Sequence, residues 1–473
     1  MQTTARISRI AVAALVLALA VLLGIAPQQD SAAFLVALLC AGAGLFGISL
    51  LRDERERALL LVLFCAAFVL RLLFSTVVYK TGLVSVLGGA DDTVWEASWA
   101  RAQQWKATGP DPWWNVFTGE LRKNNGFEYF SALFFYVLDV RSQMALAFLN
   151  SFGSALTVVV IYKVAREFFD ERASLFAAGA AALLPAFLVW ASLTLKETWV
   201  ILFEITTLFA VLRCSRNHKP AYGILALVLI VLTVPLRFYI GGVLGAAALF
   251  SFFCLRSPQP ARTAVGIMIG GALIFGVLTV AGVVHFDMAA FAQSRVQELV
   301  QFRTNVSGGS SKGTSSVTLN YDITTPGGAT MMLLVGSAYL LLSPFPWELN
   351  NMRQFMALPD VLLWWGLVFV FILPGLSYAW RRQPAALISI AAFVLPLVLF
   401  YSIIFGNVGL VYRQRAQLMP FFLILAAAGH EKRRQQTQSG GKRLPSWSPQ
   451  TQAAFDALSA TLPVSQPARG ERL

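Results

Sequence analysis

Apolar runs of about 20 residues recur along the whole chain, and that is the length a helix needs to cross a bilayer. Hydrophobic residues make up 57% of the 473 and charged residues only 13%, with a mean hydropathy of +0.65, which rules out a soluble domain. The expected fold is therefore an all-α polytopic membrane protein with about 12 transmembrane helices. The runs fall near 7–26, 32–51, 57–79, 143–165, 171–190, 197–213, 221–235, 239–255, 264–284, 361–380, 386–405 and 415–429. The first resembles a signal peptide, but it lacks a small-residue cleavage site and a second span follows at once, so it is read as retained. Cys40, Cys65, Cys214 and Cys254 show no metal-ligand spacing, and His218, His285 and His430 are scattered.

Charge placement orients the spans. The net charge of +13 could suggest a nucleic-acid partner, but the basic residues lie in short loops between apolar runs, so none is expected. Arg6 and Arg9 put the N-terminus in the cytosol. The same frame places Arg52–Arg57, Lys163–Arg172, Arg213–Lys219, Arg256–Arg262, Arg381–Arg382 and the tail from His430 on that side. Counting Met331–Leu342 as a crossing would break the frame. It is read, with Phe127–Val140, as an interfacial or dipping element.

The resulting organisation has five parts: two N-terminal spans (1–56), a core (57–285) holding the first extracytosolic loop (80–142), a second extracytosolic loop (286–360), C-terminal spans (361–429) and a basic cytosolic tail (430–473). Trp95 and Trp99, one helical turn apart, mark an interfacial helix in the first loop. The second loop opens with an amphipathic run, Ala289–Arg303, and continues into the glycine-rich Ser307–Gly313, expected to be mobile. The tail is polar and is expected to be disordered.

In this frame the unusual charges share the extracytosolic side. Gly88 and Gly89 precede Asp91 and Asp92, with Glu96 just beyond. Carboxylates there can act as a general base, hold a divalent cation such as Mg2+ or Mn2+, or grip sugar hydroxyls. They can equally cap the helix that follows. Lys196 and Glu197 sit at the outer end of the sixth span, Arg237 and Tyr239 in the turn between the seventh and eighth, and Tyr412, Arg413 and Arg415 before the last. Arginine is disfavoured in short outer loops, and it grips phosphate through two parallel bonds. Thr194 and Glu197 have capping-box spacing, so Glu197 can instead close a helix start. Lys196 at a helix N-terminus is an anion cradle or a snorkelling side chain. Arg71 and Glu204 lie at membrane depth, Arg71 snorkelling or pairing internally and Glu204 with no evident partner.

The pattern resembles the GT-C superfamily of integral-membrane glycosyltransferases, which includes protein mannosyltransferases and aminoarabinose transferases. The similarity covers about 57–255: the span ending in Arg71-Leu72-Leu73-Phe74, the glycine-preceded Asp91-Asp92, Phe127–Phe130, Tyr162–Phe169, and the proline-ended span leading to Ser192–Glu197. The resemblance implies that Asp91, and secondarily Asp92, is the catalytic and sometimes metal-binding element. It also implies that Lys196, Arg237, Arg413 and Arg415 bind the donor phosphate. Trp95-Glu96 stands where a tyrosine usually follows the acid pair.

The leading expectation is a polyprenyl-phosphate-sugar-dependent glycosyltransferase of a bacterial inner membrane. It would serve cell-envelope or exopolysaccharide synthesis on the extracytosolic face, with a glycan, lipid or protein acceptor. A polymerase or ligase acting on diphosphate-linked glycans would lean on the arginines and need Asp91 less. A lipid or sugar transporter would call for mid-membrane charges and internal repeats, and no repeat is evident.

Overall fold

The computed structural model describes residues 10, 12–19, 31–88, 93–112, 115–118, 125–280, 325–349, 352–403 and 408–440. Every regular element among them is helical. The first half contains α1 (Ser31–Ser49), α2 (Glu54–Lys80), α3 (Val94–Thr108), α4 (Gly126–Leu138), α5 (Gln143–Phe168), α6 (Glu171–Leu183), α7 (Pro185–Ser192) and α8 (Glu197–Asn217). The second contains α9 (Pro220–Leu236), α10 (Phe238–Arg256), α11 (Pro260–Val280) and α12 (Pro326–Leu342). It ends with α13 (Met352–Leu367), a π-helical turn (Val368–Ile372), α14 (Leu373–Arg382), α15 (Pro384–Ile403) and α16 (Val408–Gly440). Among the described residues seven helices are long and apolar enough to cross a membrane, or eight if α6 and α7 form one bent span. Helices lie where the apolar runs predict them, and the protein is an integral membrane protein. The expected count of twelve crossings goes beyond these seven or eight.

Helix ends follow local chemistry. Asp53 caps α2 by accepting the Arg55 and Glu56 amides, Ser142 caps α5 through Ala145, and Asp170 caps α6 through Ala173. Helix α5 is enclosed by α1, α2, α6, α7 and α8, and its small residues Ser151, Gly153, Ser154 and Ala155 let these neighbours approach. Outward-facing side chains are lipid-like: Leu38 and Phe46 on α1, Leu227, Val228 and Val231 on α9 and Leu362, Leu363 and Phe369 farther on are exposed.

One break inside the bundle is built with care. Pro185 has no amide proton to give to Ala181, four residues back, and the chain bends by 51° between α6 and α7. Arg71 of α2 fills the gap, donating to the Ala181 carbonyl at 3.1 Å and to Ser154 Oγ at 2.7 Å. Across the break, Asp360 of α13 accepts the Ala186 amide at 2.8 Å. Of the two readings of Arg71, internal pairing is the one observed. A backbone opened in an apolar interior needs such partners.

The two ends of the bundle differ. At one end lie Arg55–Glu171, Lys163–Glu56, Arg213 and Arg216 on Glu167, and Arg434–Asp170. These residues belong to the basic loops that the sequence assigns to the cytosol. At the other end lie the starts of α5, α8, α10 and α16 and the ends of α2, α7 and α9.

Two boundaries move. Helix α16 runs on to Gly440, so the first part of the expected disordered tail is helical. Glu431 accepts from Tyr378 and from the Asp170 amide, and Arg434 pairs with Asp170, so the tail's first turns have a docking surface. Met331–Leu342 lies within α12, which packs on α15 and ends with its last carbonyls covered by Trp364 and Trp365. The amphipathic run Ala289–Arg303 and the glycine-rich Ser307–Gly313 lie outside the described residues, as does the tail after 440.

Candidate donor-binding site

The turn between α7 and α8 is positioned by Asn150, a buried residue of α5. Its Nδ2 donates to the Leu193 and Leu195 carbonyls at 2.7 and 3.1 Å, and its Oδ1 accepts from Trp199 Nε1 at 2.8 Å. Thr198 Oγ1 adds a bond to the Trp190 carbonyl at 3.1 Å. Lys196 is thereby set at the N-cap of α8, as expected, but no side chain caps that helix. The capping-box reading of Thr194 and Glu197 fails. Thr194 Oγ1 accepts from Gln143 at 3.5 Å, and Glu197 turns to another helix altogether.

That partner is Arg237, the single residue between α9 and α10. Arg237 Nη2 donates to Glu197 Oε1 at 2.6 Å, and Nη1 donates to the Tyr239 hydroxyl at 2.7 Å. Arg413, in the second turn of α16, brings its Nε to 3.7 Å from the same carboxylate oxygen. Its guanidinium stands 5.8 Å from the Trp190 ring, which in turn meets Tyr412. Glu197 and Arg237 are buried, and Lys196, Tyr239, Tyr412 and Arg413 are half-buried around them. Burial works against the charge on Arg237, but Tyr239 and Glu197 outweigh it and hold the guanidinium well above its usual pKa. Three cations and one carboxylate leave two positive charges at one end of the bundle.

Arg415 goes elsewhere. It is wholly buried, 3.6 Å from Asp360, and donates to the Ser343 carbonyl at the end of α12. There it acts as a cation at a helix C-terminus. Asp360 and Asn150 are site-building residues that the sequence reading missed; a lone polar group inside an apolar run was the available signal. Glu204, two turns below Glu197, is buried with no hydrogen-bond partner among the described residues.

The first loop docks beside this cluster. Arg101 of α3 binds Glu128 of α4 at 2.8 Å and Asp111 at 3.1 Å, and lies 4.1 Å from the Tyr129 ring. Phe130 meets Trp199 at 5.1 Å, and Gly126 lies so close to Pro235 that a Cβ there would overlap its backbone. Glu96 is exposed in the first turn of α3, where an acid suits the helix dipole. Asp91 and Asp92 lie outside the described residues; the N-cap of α3 is Thr93, one position beyond them. No group of three His, Cys, Asp or Glu side chains gathers among the described residues, and the acid pair suited to Mg2+ or Mn2+ is the undescribed one.

The family model for dolichyl-phosphate-mannose-protein mannosyltransferase matches residues 125–285. That region is a GT-C-type glycosyltransferase domain. The matched span contains Asn150, Lys196, Glu197, Arg237 and Tyr239, and the glycosyltransferase uses a lipid-linked sugar donor. No curated protein matches the chain. Arg413, Arg415, Asp360 and the acid pair lie outside the matched region and come from other parts of the chain.

Proposed function

We propose that this glycosyltransferase takes one sugar from a polyprenyl-phosphate donor and gives it to an acceptor on the extracytosolic face of a bacterial inner membrane. The step belongs to cell-envelope or exopolysaccharide assembly. The matched family's description names a mannosyl donor; here the donor class is a hexose or pentose on polyprenyl phosphate, and the acceptor is a glycan, lipid or protein. The observation that carries the reading is the convergence of Lys196, Arg237 and Arg413 on Glu197, opposite the end holding the basic loops.

The charge balance suits the chemistry. A polyprenyl-phosphate sugar carries one negative charge, and the phosphate that leaves carries nearly two. A site with two net positive charges favours the leaving state over the bound donor, which is how a fixed cluster lowers a barrier. Asp91 takes the proton of the acceptor hydroxyl, the acceptor oxygen attacks the anomeric carbon, and the bond from that carbon to the phosphate oxygen breaks. Asp92 supports Asp91. The polymerase or ligase reading leaned on Arg413 and Arg415 as a pair, and Arg415 is committed to Asp360 and Ser343 instead.

The test is a transfer assay in membranes with matched protein levels. Asp91→Asn should lose about 10²–10⁴ in rate, the usual contribution of a general base. Arg413→Gln should lose about 10²-fold, as expected when one donor to a developing charge is removed. Wild-type transfer by Asp91→Asn would remove the carboxylate from the mechanism. Wild-type transfer by Arg413→Gln would remove the phosphate site.

A further inference from the structure

The buried ion pair at this site has two unused hydrogen-bonding atoms. Only Oε1 of Glu197 is engaged, and Oε2 has no hydrogen-bond partner among the described residues. Arg237 spends Nη2 on Glu197 and Nη1 on Tyr239, and its Nε is likewise without one. Both residues are more than nine-tenths buried, so these are not groups left open to bulk water. Buried polar atoms are normally satisfied, and an exception asks for an occupant.

The chemistry of the two atoms narrows that occupant. A carboxylate oxygen only accepts, and a guanidinium Nε–H only donates. Phosphate oxygens, which only accept, could satisfy Nε but would be repelled by Oε2. A hydroxyl both donates and accepts through one oxygen, and it can satisfy the two together. The donor lipid carries hydroxyls on the sugar ring directly beside its phosphate. Arg413 holds Glu197 at 3.7 Å, beyond hydrogen-bond length, so it is the partner most readily exchanged for the phosphate.

We propose that Glu197 and Arg237 form a sugar-hydroxyl subsite that selects the donor sugar, while Lys196 and Arg413 take the adjoining phosphate. The proposal rests on the donor-site reading above and deepens it: one ion pair both braces the cations and reads the sugar. Glu197 is then a specificity-determining residue, distinct from the base. The apolar run that follows it would not by itself reveal a polar recognition element at the first position of the helix.

The experiment measures binding to the purified full-length protein in lipid nanodiscs. The probes are bare polyprenyl phosphate, its mannose, glucose and galactose derivatives, and the monodeoxy analogue at each ring position. The wild type should lose about 10–100-fold in affinity for at least one epimer or deoxy analogue, the scale of a hydrogen bond to a charged group. In Glu197→Gln that selectivity, read as the affinity for each sugar probe relative to bare polyprenyl phosphate, should shrink to about threefold or less. Equal wild-type affinity for every sugar probe overturns the subsite, and this arm needs no variant to fold. Equal losses for bare and sugar-bearing lipid in Glu197→Gln also overturn it, because they mark a bracing role alone. The donor-site reading fails separately if Arg413→Gln leaves the binding of bare polyprenyl phosphate unchanged.

Discussion

Ion pairs close both ends of this bundle, but the two ends use them differently. At the basic-loop end two pairs are open: Arg55 is 74% exposed and its partner Glu171 32%, and Arg434 and Asp170 are 33% and 36%, while Glu167 beneath Arg213 and Arg216 is 10% exposed. At the site end Arg237 and Glu197 are 7% and 1% exposed. Exposed pairs contribute about 0–1 kcal/mol, because water already solvates both charges. A buried pair gains little net stability over an apolar replacement, yet losing one partner costs about 3–5 kcal/mol. The open pairs are therefore a tolerant fringe that orients the bundle. The buried one is a poor stabiliser, and its place in the chain is better accounted for by a ligand.

Substitutions at four arginines test that contrast, beginning with the largest effect. Arg237→Met takes from Glu197 its hydrogen-bonded cation, leaving Arg413 at 3.7 Å, and should lower stability by up to about 3–5 kcal/mol, measured by thermal unfolding in detergent. Adding Glu197→Leu should restore most of the stability but not sugar transfer. Recovery of both would make the pair merely structural and erase the difference between the ends.

Arg71→Met comes next. It removes the donors to Ala181 and Ala182 at the bend between α6 and α7, and should cost about 1–3 kcal/mol per orphaned group. Donor affinity should stay within about threefold, since Arg71 lies below the site and its bonds are to backbone and Ser154. A large loss of affinity with unchanged unfolding would instead assign Arg71 to the site.

Arg55→Gln and Arg434→Gln should be the mildest, each within about 1 kcal/mol in unfolding and with transfer unaltered. Loss of transfer in either would show that the open end is coupled to the site and would blur the comparison.

Some of the site was legible from residue order. Arg237 interrupts two apolar runs in a short outer turn, where positive charge is disfavoured, and the structure puts it in the cluster. Lys196 was expected beside a helix start, and it is the N-cap of α8. Arg413 and Arg415 could not be separated while they were read as a loop. In a helix, residues two apart point to different faces, and α16 begins at Val408, before both. One arginine therefore turns to Glu197 and the other to Asp360 and the end of α12. Thr194 and Glu197 show the same limit: their spacing fits a capping box, and local pattern has no means of weighing a partner 40 residues away.

The sequence by itself determined the helical class, the place of the helices, the end at which the basic loops collect and the side that holds the unusual cations. These follow from the length of apolar runs and the bias in charge, both of which act within a few residues. The pairing of Glu197 with Arg237, the bracing of its turn by Asn150 and the filling of the Pro185 break by Arg71 and Asp360 were decided only by tertiary structure. Each joins side chains or backbone groups from different helices, and the requirement behind them is three-dimensional: a polar group in an apolar interior takes whichever partner packing brings within hydrogen-bond reach.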